Sequence, residues 1–207
     1  MSKTTLLAIV VFTFIAIVVL IKENKDISHE VVLKEGSVIL AFGDSITYGY
    51  GAEYEFSYPK QIEKKTALKV INAGINGELS SEGLIRLPKL LENKPDLVIL
   101  CHGGNDILQK LPSQELKNNL LAMIKLIKQS GAEVLLVGVP NFNVLSFTTQ
   151  DIYSEVAEET NVLFEDKVLT YIELHRALKS DYVHPNGKGY EMMADTFIEL
   201  LKLKDLK

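Results

Sequence analysis

Five short, largely apolar runs alternate with stretches of helical periodicity, and this alternation limits what the chain can fold into. The runs are Val38-Phe42, Lys69-Asn72, Leu97-Cys101, Val134-Gly138 and Val162-Phe164. Each has strand length and most carry β-branched residues. Pro59 suits the first turn of a helix reaching about Lys65. Ser80 or Ser81 can cap a helix running to Leu91. Gln114 to Gln129 places Leu116, Leu120, Met123, Ile124 and Ile127 on one face, with Gly131 just beyond its end. Asp151 to Thr160 is a shorter helix. The last helix starts with Pro185 near its first turn and presents Tyr190, Met193, Ala194, Phe197, Ile198 and Leu201 at helical spacing. Apolar strands separated by helices predict an α/β fold, with a parallel sheet covered on both faces. At 207 residues there is room for one such domain.

The amino-terminal stretch does not fit that pattern. Leu6 to Ile21 is apolar except for Thr13, with Lys3 before it and Lys22 to Asp26 after it. A soluble amphipathic helix would show a polar face, and this run has none. Residues 1–24 therefore read as an export signal or membrane anchor, and residues 25–36 as a polar tether to a domain over 37–207. No small-residue cleavage pair follows the run, which favours an uncleaved anchor over a cleaved signal. The signal-like layout places the domain in the cell envelope, periplasmic or otherwise outside the cytoplasm. The lysines flanking the run do not by themselves support that orientation.

In a parallel α/β sheet, reactive groups collect at the carboxyl ends of the strands. Four polar, glycine-bearing stretches fall there: Gly43-Asp44-Ser45, Asn72 to Glu78, Gly103-Gly104-Asn105-Asp106, and Asp181 to Asn186 just before the last helix. A serine hydroxyl becomes a useful nucleophile only when a base takes its proton. His184 suits that task, because neutral imidazole accepts at one nitrogen and donates at the other. Asp181, three residues earlier, can reach the far ring nitrogen and fix the tautomer. Acyl transfer also needs donors aimed at a developing oxyanion. The Ser45 N–H, the Gly77 N–H and the Asn105 side-chain amide are candidates. Taken singly, these residues equally suit ordinary turns and caps.

The ordered set Gly43-Asp44-Ser45, Gly77, Gly103-Gly104-Asn105-Asp106 and Asp181-x-x-His184-Pro185 resembles the SGNH (GDSL-type) hydrolase family. Asn72 to Gly77 and Gly83 to Pro88 are similar to its bacterial periplasmic esterase group, which includes acyl-CoA thioesterase/lysophospholipase and arylesterase enzymes. The resemblance implies a three-layer α/β/α sandwich of the flavodoxin-like kind, with about five parallel strands. It implies nucleophile Ser45, base His184 and orienting Asp181, with oxyanion donors from Ser45, Gly77 and Asn105. No metal and no organic cofactor are implied. Thr47 stands where a G-x-S-x-G elbow would need its second glycine, which separates the chain from α/β-hydrolase lipases. His102 is a departure, since an acidic residue is expected before Gly103. It points either into the helix layer or towards the site.

The substrate expected is a small-molecule or lipid acyl ester. Phe142, Val144, Leu145 and Phe147 give the Pro140–Gln150 loop an unusual apolar load, and Phe142, Leu145 and Phe147 are candidate walls for an acyl chain. The alternatives are a carbohydrate O-acetyl esterase or acyltransferase on the same machinery, and a non-catalytic tethered binding module. A net charge of -5 with no basic stripe gives no reason to expect nucleic acid as a partner. Cys101, the one cysteine, lies in an apolar run and reads as a buried inert thiol.

Overall fold

The computed structural model describes residues 31–141 and 149–204. At its centre is a five-stranded parallel sheet built from β2 (Val38–Gly43), β3 (Lys69–Gly74), β4 (Leu97–Cys101), β5 (Glu133–Val137) and β6 (Leu163–Glu165), in the order β3-β2-β4-β5-β6. With strands counted from β2, this is the flavodoxin-like order 2-1-3-4-5. The expected strands are all present, with ends shifted by a residue or two. β4 is buried along its whole length and β2 along all but its first residue, as contiguous apolar strands covered on both faces must be.

Helices cover both faces. On one side α2 (Tyr58–Thr66) and α7 (Val168–Leu174) pack on α8 (Gly187–Leu200). On the other, α5 (Ser113–Gln129) packs between α3 (Ser80–Leu91) and α6 (Asp151–Thr160). The apolar stripe of α5 is buried as its spacing predicts. Two short helices, α1 (Ser45–Tyr48) and α4 (Gly104–Leu108), begin directly at the ends of β2 and β4.

Three expectations need correction. The tether does not extend to residue 36, because Val32–Lys34 forms a strand, β1, parallel to β7 (Lys202–Lys204). Val31 and Leu33 are fully buried there, and their apolar side chains hold the start of the domain to its end. The cap of α3 is Leu79 rather than Ser80 or Ser81. Carboxylates satisfy the first amides: Glu82 accepts from Leu79 N–H at 2.9 Å and Asp106 from Ser80 N–H at 2.9 Å. Pro185 lies before α8 rather than inside it. Asn186 is the cap, its Oδ1 accepting from Lys188 N–H at 3.0 Å and Gly189 N–H at 3.2 Å.

Among the described residues no helix is long and apolar enough to cross a membrane. The apolar run Leu6 to Ile21 lies outside them. Cys101 is buried as expected, and burial pushes its thiol well above the ordinary range.

Phe197 meets Tyr58 edge to face at 5.3 Å and joins α8 to α2 in the core. Phe197→Ala is expected to cost about 3–5 kcal/mol, read from the midpoint of denaturant unfolding. A loss below ~1 kcal/mol would show that this contact does not hold the layer together.

Candidate active site

The chain leaves β2 to one side for β3 and then crosses back to place β4 on the other. The carboxyl ends of β2 and β4 therefore flank the point where the strand order reverses, the place where such sheets open a crevice. Ser45 follows β2 and Asn105 follows β4. Gly43 stands level with both Gly74 and Cys101, so the three loops start at one height. A Cβ on Gly43 would lie 1.9 Å from the Cys101 carbonyl oxygen, so no larger residue fits without moving β4.

Asp44 caps α1. Its buried carboxylate accepts from Ile46 N–H at 3.1 Å through Oδ1 and from Gly104 N–H at 3.2 Å through Oδ2. It thereby ties the serine loop to the asparagine loop. Burial raises its pKa, against the opposing pull of His102, the two amides and His184. Ser45 opens the helix, where an N–H has no acceptor within the helix itself.

The Ser45 hydroxyl meets His184 Nε2 at 3.0 Å. His184 Nδ1 meets Asp181 Oδ2 at 2.8 Å and Oδ1 at 3.1 Å. Burial alone would raise the Asp181 carboxyl. The backbone N–H groups of His184 and Val183, both at 2.8 Å, and the His184 ring outweigh it and hold the pKa at about 2. An ionised Asp181 can only accept, so the ring proton sits on Nδ1 and the Nε2 lone pair faces the Ser45 O–H. The Tyr50 ring lies over His184 at 4.5 Å.

The loop carrying His184 is held from below. Lys179 Nζ pairs with Glu173 at 2.5 Å, both side chains nearly buried, and donates to the Tyr182 carbonyl. Ser180 N–H donates to the His184 carbonyl at 2.9 Å.

Gly77 has φ +78°, a conformation open to glycine, while a Cβ there would meet nothing within 4 Å. Dihedral freedom, rather than space, is what that position requires. Asn105 Nδ2 donates to the Glu78 carbonyl at 3.0 Å, which uses one of its two hydrogens. Asp106 reaches across to Ser80, accepting from its N–H at 2.9 Å and its hydroxyl at 2.6 Å, and Asn119 Nδ2 donates to the same hydroxyl at 2.9 Å.

The structure thus joins Ser45, His184 and Asp181 in one hydrogen-bonded chain and sets the Gly77 and Asn105 loops beside each other. Phe142, Leu145 and Phe147 lie outside the described residues. Sequence reading missed Asp44 as a link between loops, Tyr50 on the histidine, and the Glu173–Lys179 pair. It also missed Glu78, which meets His102 beneath the loops, and Arg86, which pairs with Glu78. Both lie in or beside stretches that the sequence marks, Asn72 to Glu78 and Gly83 to Pro88, but nothing in those stretches shows that the two side chains meet. Among the described residues no group of three or more His, Cys, Asp or Glu side chains could hold a metal ion.

Residues 41–192 match the GDSL-like Lipase/Acylhydrolase family. The chain belongs to that family. It is 34% identical to an arylesterase of Vibrio mimicus, over 76% of this chain and 84% of that one. It is 29% identical to the thioesterase 1/protease 1/lysophospholipase L1 of Escherichia coli (strain K12), over 79% of this chain and 83% of that protein. Its fold superposes with a TM-score of 0.71 on the psychrotrophic esterase EstA from Pseudoalteromonas sp., solved inhibited by monoethylphosphonate, at 28% identity over 79% of this chain and 95% of the other. A member of this family is a serine hydrolase acting on ester bonds, and so is this chain.

A carboxyl whose pKa falls on folding stabilises the fold above its unfolded value, ~4, and loses that contribution as pH drops through its folded value. For Asp181 the folded value is about 2. The stability gap between wild type and Asp181→Asn is therefore expected to narrow from pH ~5 to pH ~2.5, measured by denaturant unfolding. A constant gap would mean that the carboxyl is not depressed.

Proposed function

We propose that the chain hydrolyses acyl esters or thioesters with Ser45 as nucleophile, His184 as general base and Asp181 as the group that orients it. The observation that carries this reading is the unbroken chain from Ser45 Oγ through both His184 nitrogens to the Asp181 carboxylate, at 3.0 and 2.8 Å.

His184 Nε2 takes the Ser45 proton as Oγ bonds to the substrate carbonyl carbon, and the carbonyl electron pair moves onto oxygen. Donors for that oxyanion come from the Ser45 N–H, the Gly77 N–H and the second hydrogen of the Asn105 amide. The imidazolium, stabilised by Asp181, gives its proton to the departing alcohol or thiol as the carbon–oxygen or carbon–sulfur bond breaks. Water then attacks the acyl-serine with His184 again as base, releasing the acid and restoring Ser45. The names of the relatives, arylesterase and thioesterase/lysophospholipase, support this range of acyl substrates. The inhibition of a structurally similar esterase by a phosphonate is in keeping with a nucleophile in such a site.

We also infer that Leu6 to Ile21 anchors the domain to a membrane, so that it works in the cell envelope outside the cytoplasm. Full-length protein is expected in the membrane fraction with its amino terminus intact. Soluble protein beginning near residue 25 would indicate a cleaved signal instead.

Aryl esters of rising chain length and an acyl-CoA, assayed beside Ser45→Ala, test the central reading. Ser45→Ala is expected to lower kcat by up to about 10⁶, and Asn105→Ala by about 10²–10³. A loss below tenfold in Asn105→Ala would remove that amide from the oxyanion site. Turnover confined to acetyl esters would favour a carbohydrate O-acetyl esterase. Activity is expected to fall in acid with a slope of one in log kcat/KM, as one essential base is protonated while Asp181, at about 2, stays ionised. A slope of two would require another essential group to titrate.

A further inference from the structure

His102 does not face the Ser45–His184 pair. It lies fully buried beneath the asparagine loop, its carbonyl accepting from Tyr153 Oη at 2.7 Å. Its Nδ1 accepts from Gly103 N–H at 3.0 Å. That contact places the ring proton on Nε2, which therefore donates to Glu78 Oε2 at 3.0 Å. Gly83 leaves the space, since a Cβ there would fall 2.4 Å from Nε2.

Glu78 is a buried carboxylate with a second partner. Arg86 grips it with Nε on Oε1 at 2.5 Å and Nη2 on Oε2 at 2.6 Å. The same Nη2 reaches the Ala73 carbonyl at 2.8 Å and the Gly43 carbonyl at 3.3 Å, at the ends of β3 and β2. The guanidinium lies 4.3 Å from the centre of the Phe42 ring. One carboxylate thus gathers the ends of β2 and β3 through Arg86 and the end of β4 through His102. Its own carbonyl receives the Asn105 amide at 3.0 Å, immediately after Gly77.

We propose that His102 is a positioning residue for the Asn105 oxyanion donor. It acts through Glu78. By fixing that carboxylate, the His102 Nε2–H fixes the backbone of the Gly77-Glu78 segment. The Glu78 carbonyl then takes one hydrogen of the Asn105 amide and leaves the other aimed at the oxyanion. Arg86 supplies the second constraint. This inference rests on the reading of Gly77 and Asn105 as oxyanion donors.

Two substitutions separate positioning from packing. In His102→Asn the short side chain can still accept from Gly103 N–H but cannot reach Glu78. In His102→Gln the longer side chain can still donate to Glu78. On a fast aryl ester, His102→Asn is expected to lower kcat about tenfold to a hundredfold with KM changed less than twofold. His102→Gln should retain most of the activity. Equal losses in both variants would assign His102 to packing and overturn the proposal. The Asn variant is then combined with Asn105→Ala. If His102 acts through the amide, its loss shrinks to within about twofold in the Asn105→Ala background. Additive losses overturn the positioning role while leaving the oxyanion role of Asn105 intact. Full activity in Asn105→Ala itself overturns both. If His102→Asn does not fold, Glu78→Gln serves in its place, because it keeps the Glu78 carbonyl while weakening the grip of Arg86 and His102. It is expected to show the same kcat loss and the same collapse in the Asn105→Ala background, and an additive loss there is again fatal to the proposal.

Discussion

The site depends on the register of three parallel strands. Gly43 is aligned with Gly74 on one side and Cys101 on the other, so the chain leaves all three strands at one level. Had β4 slipped by one residue, its side chains would exchange faces and His102 would leave the helix layer. The register is held by the buried apolar faces of β2 and β4 and by a backbone approach at Gly43 that tolerates no Cβ. Short loops then carry Ser45, Gly77 and Asn105 to a common rim with little freedom to spare. Precision at the rim is thus a consequence of core packing several residues below it.

Polar groups buried just beneath that rim do a different job. Asp44, Glu78 and Asp106 are all nearly inaccessible, and each spends at least one oxygen on a group from another segment of the chain. An unpaired buried carboxylate would be costly, so the arrangement is favourable only when every partner is in place. Glu78 shows the balance. Burial acts to raise its pKa, but the hydrogen bonds from His102 and Arg86 prevail and lower it, so it is held as an anion. Such networks are weak sources of net stability, and their value here is geometric. They convert a correct strand register into correct loop positions.

Much of the fold was legible because it is written in contiguous patterns. Strands β2 and β4 are unbroken apolar runs, and the face of α5 repeats at helical spacing. β1 and β7 were not legible. They are three residues each, lysine-bearing, and stabilised by pairing between opposite ends of the chain. The seven-residue α7 is started by a carboxylate from the preceding strand, Glu165, which accepts from Val168 N–H at 3.0 Å, and a local pattern does not reveal it. The Ser45, Asp181 and His184 motifs stood out because their chemistry needs particular residue types at particular spacing. The Glu78–Arg86–His102 cluster did not, because its members come from a loop, a helix and a strand end, and only the fold shows which charges meet.

The two halves of the Ser45–His184 contact are secured by different means. Ser45 sits on a helix capped by a buried carboxylate. His184 and Asp181 sit on a more open loop, with side-chain exposures of 19% and 46%. What places that loop is the helix after it. Asn186 caps α8 and also donates to the Ala177 carbonyl at 2.9 Å and the Lys179 carbonyl at 3.2 Å, clamping both ends of the turn. α8 then buries Tyr190, Met193, Ala194 and Phe197 in the core, and Tyr190 Oη donates to the Tyr50 carbonyl at 2.7 Å. Tyr50 in turn lies over the His184 ring. The base therefore reaches the nucleophile through a helix fixed along its length, with an aromatic contact closing the circuit from α8 through Tyr50 to the imidazole. The partly exposed histidine holds a 3.0 Å contact because its position is set by the core-packed helix that follows it and by Tyr50 rather than by its own burial.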